Sequence, residues 1–207
     1  MRTKDEITPI RLNPENQKSV WQSMANAYFN YPSVEYFFPD LRLRKKVLAW
    51  YLGYPIRYSL KRGVVYTTPD HKSVAAWLTP KETYHTVAGH MGAGFLKCPF
   101  LMGPAAFRRL LDNDMFLEKI RKEKLPGPHW YLWELGVDPA VQKQGVATAL
   151  LEPTLLQADQ DNLPAFLETH LATNVPFYQK LGFEIVFEGK VPKHDITVWS
   201  MLRPPRS

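Results

Sequence analysis

Between Trp130 and Ala158 an apolar run, a short glycine-bearing loop and a leucine-spaced helix follow one another, and no other stretch restricts the possible folds of this chain as strongly. Trp130-Tyr131-Leu132-Trp133-Glu134-Leu135-Gly136-Val137 has the length and apolar content of a buried strand. Val137-Asp138-Pro139 ends it, Gln142-Lys143-Gln144-Gly145-Val146-Ala147 forms the loop, and Ala147 to Ala158 has helical spacing. The loop therefore opens a helix N-terminus, where backbone N–H groups lack a carbonyl in their own turn and the helix dipole favours an anion. N–H groups from Lys143 to Thr148 are expected to converge on phosphate oxygens, with Gly145 and Ala147 keeping bulky side chains away. Pro153 falls inside this helix and predicts a kink.

A Gln-x-x-Gly-x-Ala hexapeptide by itself is a weak signal, and the order of the segments downstream of it strengthens the reading. A strand at Ala165 to Thr169 comes next, then Asn174 and Tyr178 one helical turn apart, then Leu181-Gly182-Phe183. This arrangement resembles the GNAT superfamily of N-acetyltransferases, whose pattern is Gln or Arg, x, x, Gly, x, Gly or Ala, with an Asn and a Tyr on a later helix. The likeness covers roughly residues 129 to 203. Within the superfamily it is nearest to the puromycin N-acetyltransferase branch. The shared features are Gly136-Val137-x-Pro139, Phe166-Leu167-Glu168-Thr169, Asn174-x-Pro176-Phe177-Tyr178, the tail Val191-Pro192 to Trp199 and, more faintly, Ala27 to Pro32.

The resemblance implies an α/β fold: a mixed, mostly antiparallel central sheet with helices on both faces, split at the strand that binds acetyl-CoA. It implies acetyl-CoA as cosubstrate and an amine as acceptor. The pantetheine arm would pair with the backbone of Leu135, Gly136 and Val137 as an added strand. The pyrophosphate would lie on Gln142, Lys143, Gln144, Gly145, Val146, Ala147 and Thr148, with Asn174, Phe177 and Tyr178 completing the cofactor site. A backbone N–H near Leu135 to Val137 would stabilise the developing oxyanion, and Gly136 is expected to mark a bulge that splays two strands.

Tyr178 is the expected acid, because a phenol stays protonated at neutral pH and can pass a proton to a leaving thiolate. Glu134 and Glu168 lie in apolar strands, where an unpaired carboxylate is costly, so each needs a partner or a function. Glu134 is the expected base, acting through water; Glu168 is expected to assist or to bind the acceptor amine, and pairing of one of the two with Arg or Lys is the alternative. Tyr28, Phe29 and Tyr31, with Tyr36, Phe37 and Phe38, suit an aromatic wall for the acceptor.

Composition limits the remaining possibilities. With 207 residues, 45% of them hydrophobic, the chain can bury one substantial core, and no low-complexity linker divides it. One domain over 1–207 is expected, with a helical insertion at about 82–124, punctuated by glycines and positioned to act as a lid. The net charge of +6 comes from scattered basic residues, and the densest run, Arg121-Lys122-Glu123-Lys124, reads as a solvated helix end rather than a nucleic-acid surface. The six histidines show no metal-ligand spacing with one another or with the single cysteine, Cys98, which reads as a packed thiol. No metal is expected, nor a nucleic-acid or membrane partner. Without a long apolar run or a signal-peptide core in Met1 to Glu6, the expected location is cytoplasmic. Oligomeric state leaves no signal in the sequence. The leading expectation is an N-acetyltransferase for a small-molecule primary amine; the alternatives are a protein lysine or N-terminal acetyltransferase and a non-catalytic acyl-CoA-binding module.

Overall fold

The computed structural model of the protein describes residues 7–192 and 195–206. The readings of Met1 to Glu6 and of His194 lie outside these. A seven-stranded sheet runs through the described chain in the order β1-β2-β3-β4-β5-β7-β6. Its strands are β1 (Ile10–Arg11), β2 (Gly63–Thr67), β3 (Ser73–Leu78), β4 (Trp130–Val137), β5 (Ala165–Thr169), β6 (Glu184–Lys190) and β7 (Thr197–Arg203). Only β4 and β5 are parallel neighbours; every other pairing is antiparallel. The apolar runs of β4 and β5 begin and end where their sequence pattern predicts.

Helices cover both faces. One face carries α1 (Trp21–Tyr28), α2 (Pro32–Phe37) and α3 (Leu41–Arg62). Val20, Met24, Phe38, Leu48, Leu52 and Ile56 form the core there with Val74 and Ala76 of β3. Pro32 occupies the first turn of α2, where its missing N–H costs nothing. The expected insertion contains α4 (Val87–Ala93), α5 (Cys98–Met102) and α6 (Pro104–Lys124), with Cys98, Met102, Ala106 and Leu110 packed into the same core. On the opposite face α7 (Val146–Gln160) lays Val146, Leu150, Leu151 and Leu155 on Trp77, Leu132 and Leu167. Pro153 sits within α7, which continues to Gln160. The short α8 (Val175–Lys180) adds Val175 and Tyr178 to that second core.

Two irregularities position the site. β4 and β5 pair only at Trp130↔Ala165, Tyr131↔Phe166 and Leu132↔Leu167, so their C-terminal halves part and leave a slot in the sheet. Opposite β3, Leu132 pairs with Trp77 but Glu134 with Ala76, so Trp133 is an extra residue in β4. This bulge changes which face the next side chain joins. Leu132 packs with α7, and a regular strand would send Glu134 the same way. Instead Trp133 and Glu134 both line the cavity on the α3 side, while Leu135 and Val137 return to the α7 side.

The bulge therefore lies at Trp133 and not at Gly136. Gly136 pairs in register with Val74, and its lack of a side chain answers to α1, because a Cβ there would collide with Met24 Sδ and Cε and press on the Tyr28 ring.

Candidate active site

The slot between β4 and β5 opens into a cleft of about 730 Å³. Leu135, Gly136, Val137, Gln142, Lys143, Gly145, Val146, Ala147, Thr148, Asn174, Phe177 and Tyr178 line it, together with Tyr28 and Tyr31. Gln144 is not among these lining residues, and its Oε1 is buried without a hydrogen bond.

At the mouth of α7 the backbone alternates. Lys143 and Gly145 both adopt left-handed conformations, with φ of 61° and 81°. Such alternation turns successive N–H groups toward one concavity, the geometry of an anion nest. The first helical bond runs from Ala149 N–H to Gly145 C=O, so the N–H groups of Val146, Ala147 and Thr148 precede the intrahelical ladder. Gly145 is needed for its φ rather than for space, since nothing lies within 4 Å of where its Cβ would stand. Gln142 folds back, its Nε2 donating to Val137 C=O at 3.0 Å.

Where β4 loses β5, its backbone groups face the cleft. The Tyr28 hydroxyl donates to Leu135 C=O at 2.9 Å and accepts Leu135 N–H at 3.3 Å. Leu135 therefore turns its polar groups away from β3, and Val137, two residues on, shares that orientation. These groups, the nest and the volume of the cleft fit an extended ligand with a phosphate end and an amide-bearing arm.

A second, narrower cavity of about 100 Å³ adjoins the cleft on the α3 side. Tyr28, Tyr31, Trp133 and Glu168 line both spaces. The small cavity is walled by aromatic rings, among them Phe37, Tyr51, Tyr54 and Tyr131, and holds three carboxyl groups: Asp114, Glu134 and Glu168. Phe29 lines neither space. Its ring packs in the core beneath the Arg44 guanidinium, 5.4 Å from the ring centre.

Glu134 has no ion-pair partner among the described residues. Burial pushes its carboxyl up to about 8; a hydrogen bond with Tyr28 draws it back and Asp114 adds to the rise. Glu168 faces Arg121 of α6 at 3.7 Å, with side-chain exposures of 4% and 1%. Burial raises the Glu168 carboxyl, against the pull of Arg121 and of a hydrogen bond with Tyr131. The pairing alternative thus applies to Glu168 and not to Glu134. Arg121 corrects the reading of its basic run as a solvated helix end: its guanidinium lies 3.8 Å from the centre of the Tyr131 ring, inside the protein.

Tyr178 is buried in α8, its ring 5.1 Å from Phe177 and 5.9 Å from Phe183. Burial raises the phenol above its ordinary range, and Tyr31 and Glu134 add to the rise, which keeps it neutral. Asn174 Nδ2 donates to Thr169 Oγ1 at 3.2 Å, and the same oxygen meets the Tyr31 hydroxyl at 2.9 Å. That chain links the long cleft to the aromatic cavity.

The chain matches the Acetyltransferase (GNAT) family over residues 5–183. It belongs to the GNAT family and is an acetyl-CoA-dependent acetyltransferase. This GNAT chain is 22% identical to an uncharacterized N-acetyltransferase of Schizosaccharomyces pombe, over 84% of its own length and 72% of that protein's. A histone acetyltransferase of Glycine max matches at 43% identity, over 28% of this chain and 25% of the other. Among solved structures, an acetyltransferase related to histone acetyltransferase HPA2 from Corynebacterium glutamicum superposes with a TM-score of 0.69 at 19% identity, over 97% of both chains. Arylalkylamine N-acetyltransferase 2 from Aedes aegypti superposes at 0.62 with 13% identity, over 96% of this GNAT chain and 98% of that one. Identities this low show the shared fold alone.

The sequence reading missed Asp114, Arg121, Tyr131, Trp133, Tyr51 and Tyr54. One signal was present: Leu110, Asp114, Leu117 and Arg121 recur at spacings of one helical face, and charges on an otherwise apolar stripe point inward.

Proposed function

We propose that this protein transfers the acetyl group of acetyl-CoA to the primary amine of a small molecule, by direct attack within a ternary complex. The observation that carries the reading is the junction of the two spaces at Tyr28, Tyr31, Trp133 and Glu168. It joins a long cleft with a phosphate nest to a narrow aromatic cavity that admits a small amine or the tip of a larger one.

Acetyl-CoA supplies an activated acyl thioester. The chain contributes binding and proton traffic. The N–H groups of Val146 to Thr148 and the Lys143–Gly145 turn hold the pyrophosphate, and Val137 offers backbone groups to the pantetheine arm, as Leu135 does once the arm displaces the Tyr28 hydroxyl. An N–H of this strand segment is the donor toward the carbonyl oxygen as charge develops. Glu134 takes the proton of the incoming ammonium through water, because a carboxylate whose acid titrates near 8 is a stronger base, once ionised, than an ordinary one. Tyr178, held neutral, donates toward the sulfur as the thiolate leaves. Glu168, fixed by Arg121, orients the amine. The likeness to puromycin N-acetyltransferases adds aminonucleosides to the acceptors worth trying.

Release of coenzyme A thiol tests this, measured with aminonucleosides, arylalkylamines, aliphatic amines, amino acids and lysine peptides, alongside Tyr178→Phe and Glu134→Gln. The expected result is turnover of one small-amine class that collapses in both variants. Turnover on lysine peptides alone would assign a protein acceptor. Coenzyme binding without turnover on any amine would assign an acyl-CoA-binding module.

A further inference from the structure

The aromatic cavity also collects polar atoms that make no hydrogen bond among the described residues. Asn113 is 3% exposed and its Oδ1 has no hydrogen-bond partner among the described residues. Asp114 beside it receives only a 3.3 Å contact from the Asn113 amide among the hydrogen bonds of the described residues. Glu168 Oε1 and the Nε and Nη2 of Arg121 also lack hydrogen bonds. All four residues line the same small space. Leaving one such group buried and unsatisfied is costly; several around one cavity make it a polar site that bound water or a ligand fills.

Formal charge indicates the kind of ligand. Asp114, Glu134 and Glu168 face one guanidinium, Arg121, which Glu168 already engages. Each of the two carboxyls beyond the one that Arg121 engages is met in a buried cavity by a proton or by a cation, and the reacting ammonium accounts for only one of them. We propose that the acceptor is a diamine, whose reacting nitrogen lies at Glu134 and whose second, cationic nitrogen is held at Asp114 and Asn113 across a short spacer flanked by aromatic rings. The inference rests on reading the cavity as the acceptor site.

The surroundings of Asp114 agree. Burial raises its carboxyl to about 7; Asn113 and Arg121 draw it down, while Glu168 and Glu118 push it up, and Glu134 of β4 and the Tyr51 and Tyr54 phenols of α3 also lie within its field. A carboxyl left without a cation in an apolar wall behaves this way, and an ammonium placed beside it restores ionisation. Phenol and phenyl faces at Phe37, Tyr51 and Tyr54 add cation–π attraction. The free donors of Arg121 would suit an anionic group instead, but a zwitterionic acceptor leaves the two surplus carboxylates uncompensated.

Calorimetry on the wild-type protein saturated with coenzyme A decides the matter without requiring turnover. The ligands are 1,3-diaminopropane, 1,4-diaminobutane and 1,5-diaminopentane, compared with 1-aminobutane and 4-aminobutanoate. The best diamine is expected to bind at least about tenfold more tightly than the monoamine, the order given by one buried charge-assisted hydrogen bond. Asp114→Asn is expected to bring the diamine to the monoamine's affinity. A gap below tenfold for every spacer overturns the proposal, as does tighter binding of 4-aminobutanoate, which would make Arg121 the reader of an anion. Thiol release measured with the same ligands separates the two readings. Turnover without diamine preference overturns the diamine proposal alone, and diamine preference in binding without turnover overturns transfer alone.

Discussion

The Tyr28 hydroxyl bridges both backbone polar groups of Leu135, accepting the N–H at 3.3 Å and donating to the C=O at 2.9 Å, at the point where β4 loses β5 as a neighbour. One side chain from α1 thus satisfies a strand edge that would otherwise be bare inside the cleft. The same residue lies beside Glu134 and draws that carboxyl down. Tyr28→Phe removes that pull, so the Glu134 carboxyl rises further. The rising limb of kcat/KM against pH is expected to move to higher pH in this variant, and a pH series with one good acceptor checks it.

Glu134→Gln separates activity from stability. If Glu134 is the proposed base, its loss is expected to lower kcat by about 10²- to 10⁴-fold. Stability moves the other way. The folded carboxyl titrates near 8 and the unfolded one near 4.5, so between those values the native state holds a proton that the unfolded state has released. This contribution is fully present below 4.5, and wild-type stability is lost as pH rises toward 8. Glutamine has no such dependence. The melting temperature of the variant relative to wild type is expected to increase across that window and level off above it, as thermal unfolding at pH 5, 7 and 9 would show.

Gly136→Ala introduces a methyl group against Met24 and Tyr28. Overpacking of this kind costs about 1–3 kcal/mol. Urea unfolding should register the loss, and adding Met24→Ala should recover part of it, giving a non-additive double-mutant cycle.

Arg121→Met leaves the Glu168 carboxyl buried without its guanidinium. Breaking one side of such a pair costs about 3–5 kcal/mol. Chemical denaturation is expected to show this, with Arg121→Met/Glu168→Gln more stable than Arg121→Met alone.

That the residues of the proposed cofactor half line one cleft was legible because their information is local. The strand, loop and helix from Trp130 to Gln160 are contiguous, the φ requirement at Gly145 belongs to one residue, and Asn174 and Tyr178 lie one turn apart. Strand limits at Gly63, Ser73, Trp130 and Ala165 follow from apolar runs bounded by polar or turn-forming residues. The acceptor half draws on Tyr28, Tyr54, Asp114, Glu134 and Glu168, which come from five separate elements. Periodicity marks a helix face as buried without saying which strand it meets, so the inward position of Arg121 was hidden in a charged run. The extra residue at Trp133 has the same character. A shift of one residue exchanges the faces of a strand, and nothing in Trp133-Glu134-Leu135 announces it. Family membership and the phosphate loop could be read from the order of residues alone, since that chemistry depends on neighbours along the chain. That Glu134 faces the cavity unpaired while Glu168 faces Arg121 emerges only on folding, because packing between distant segments makes both environments.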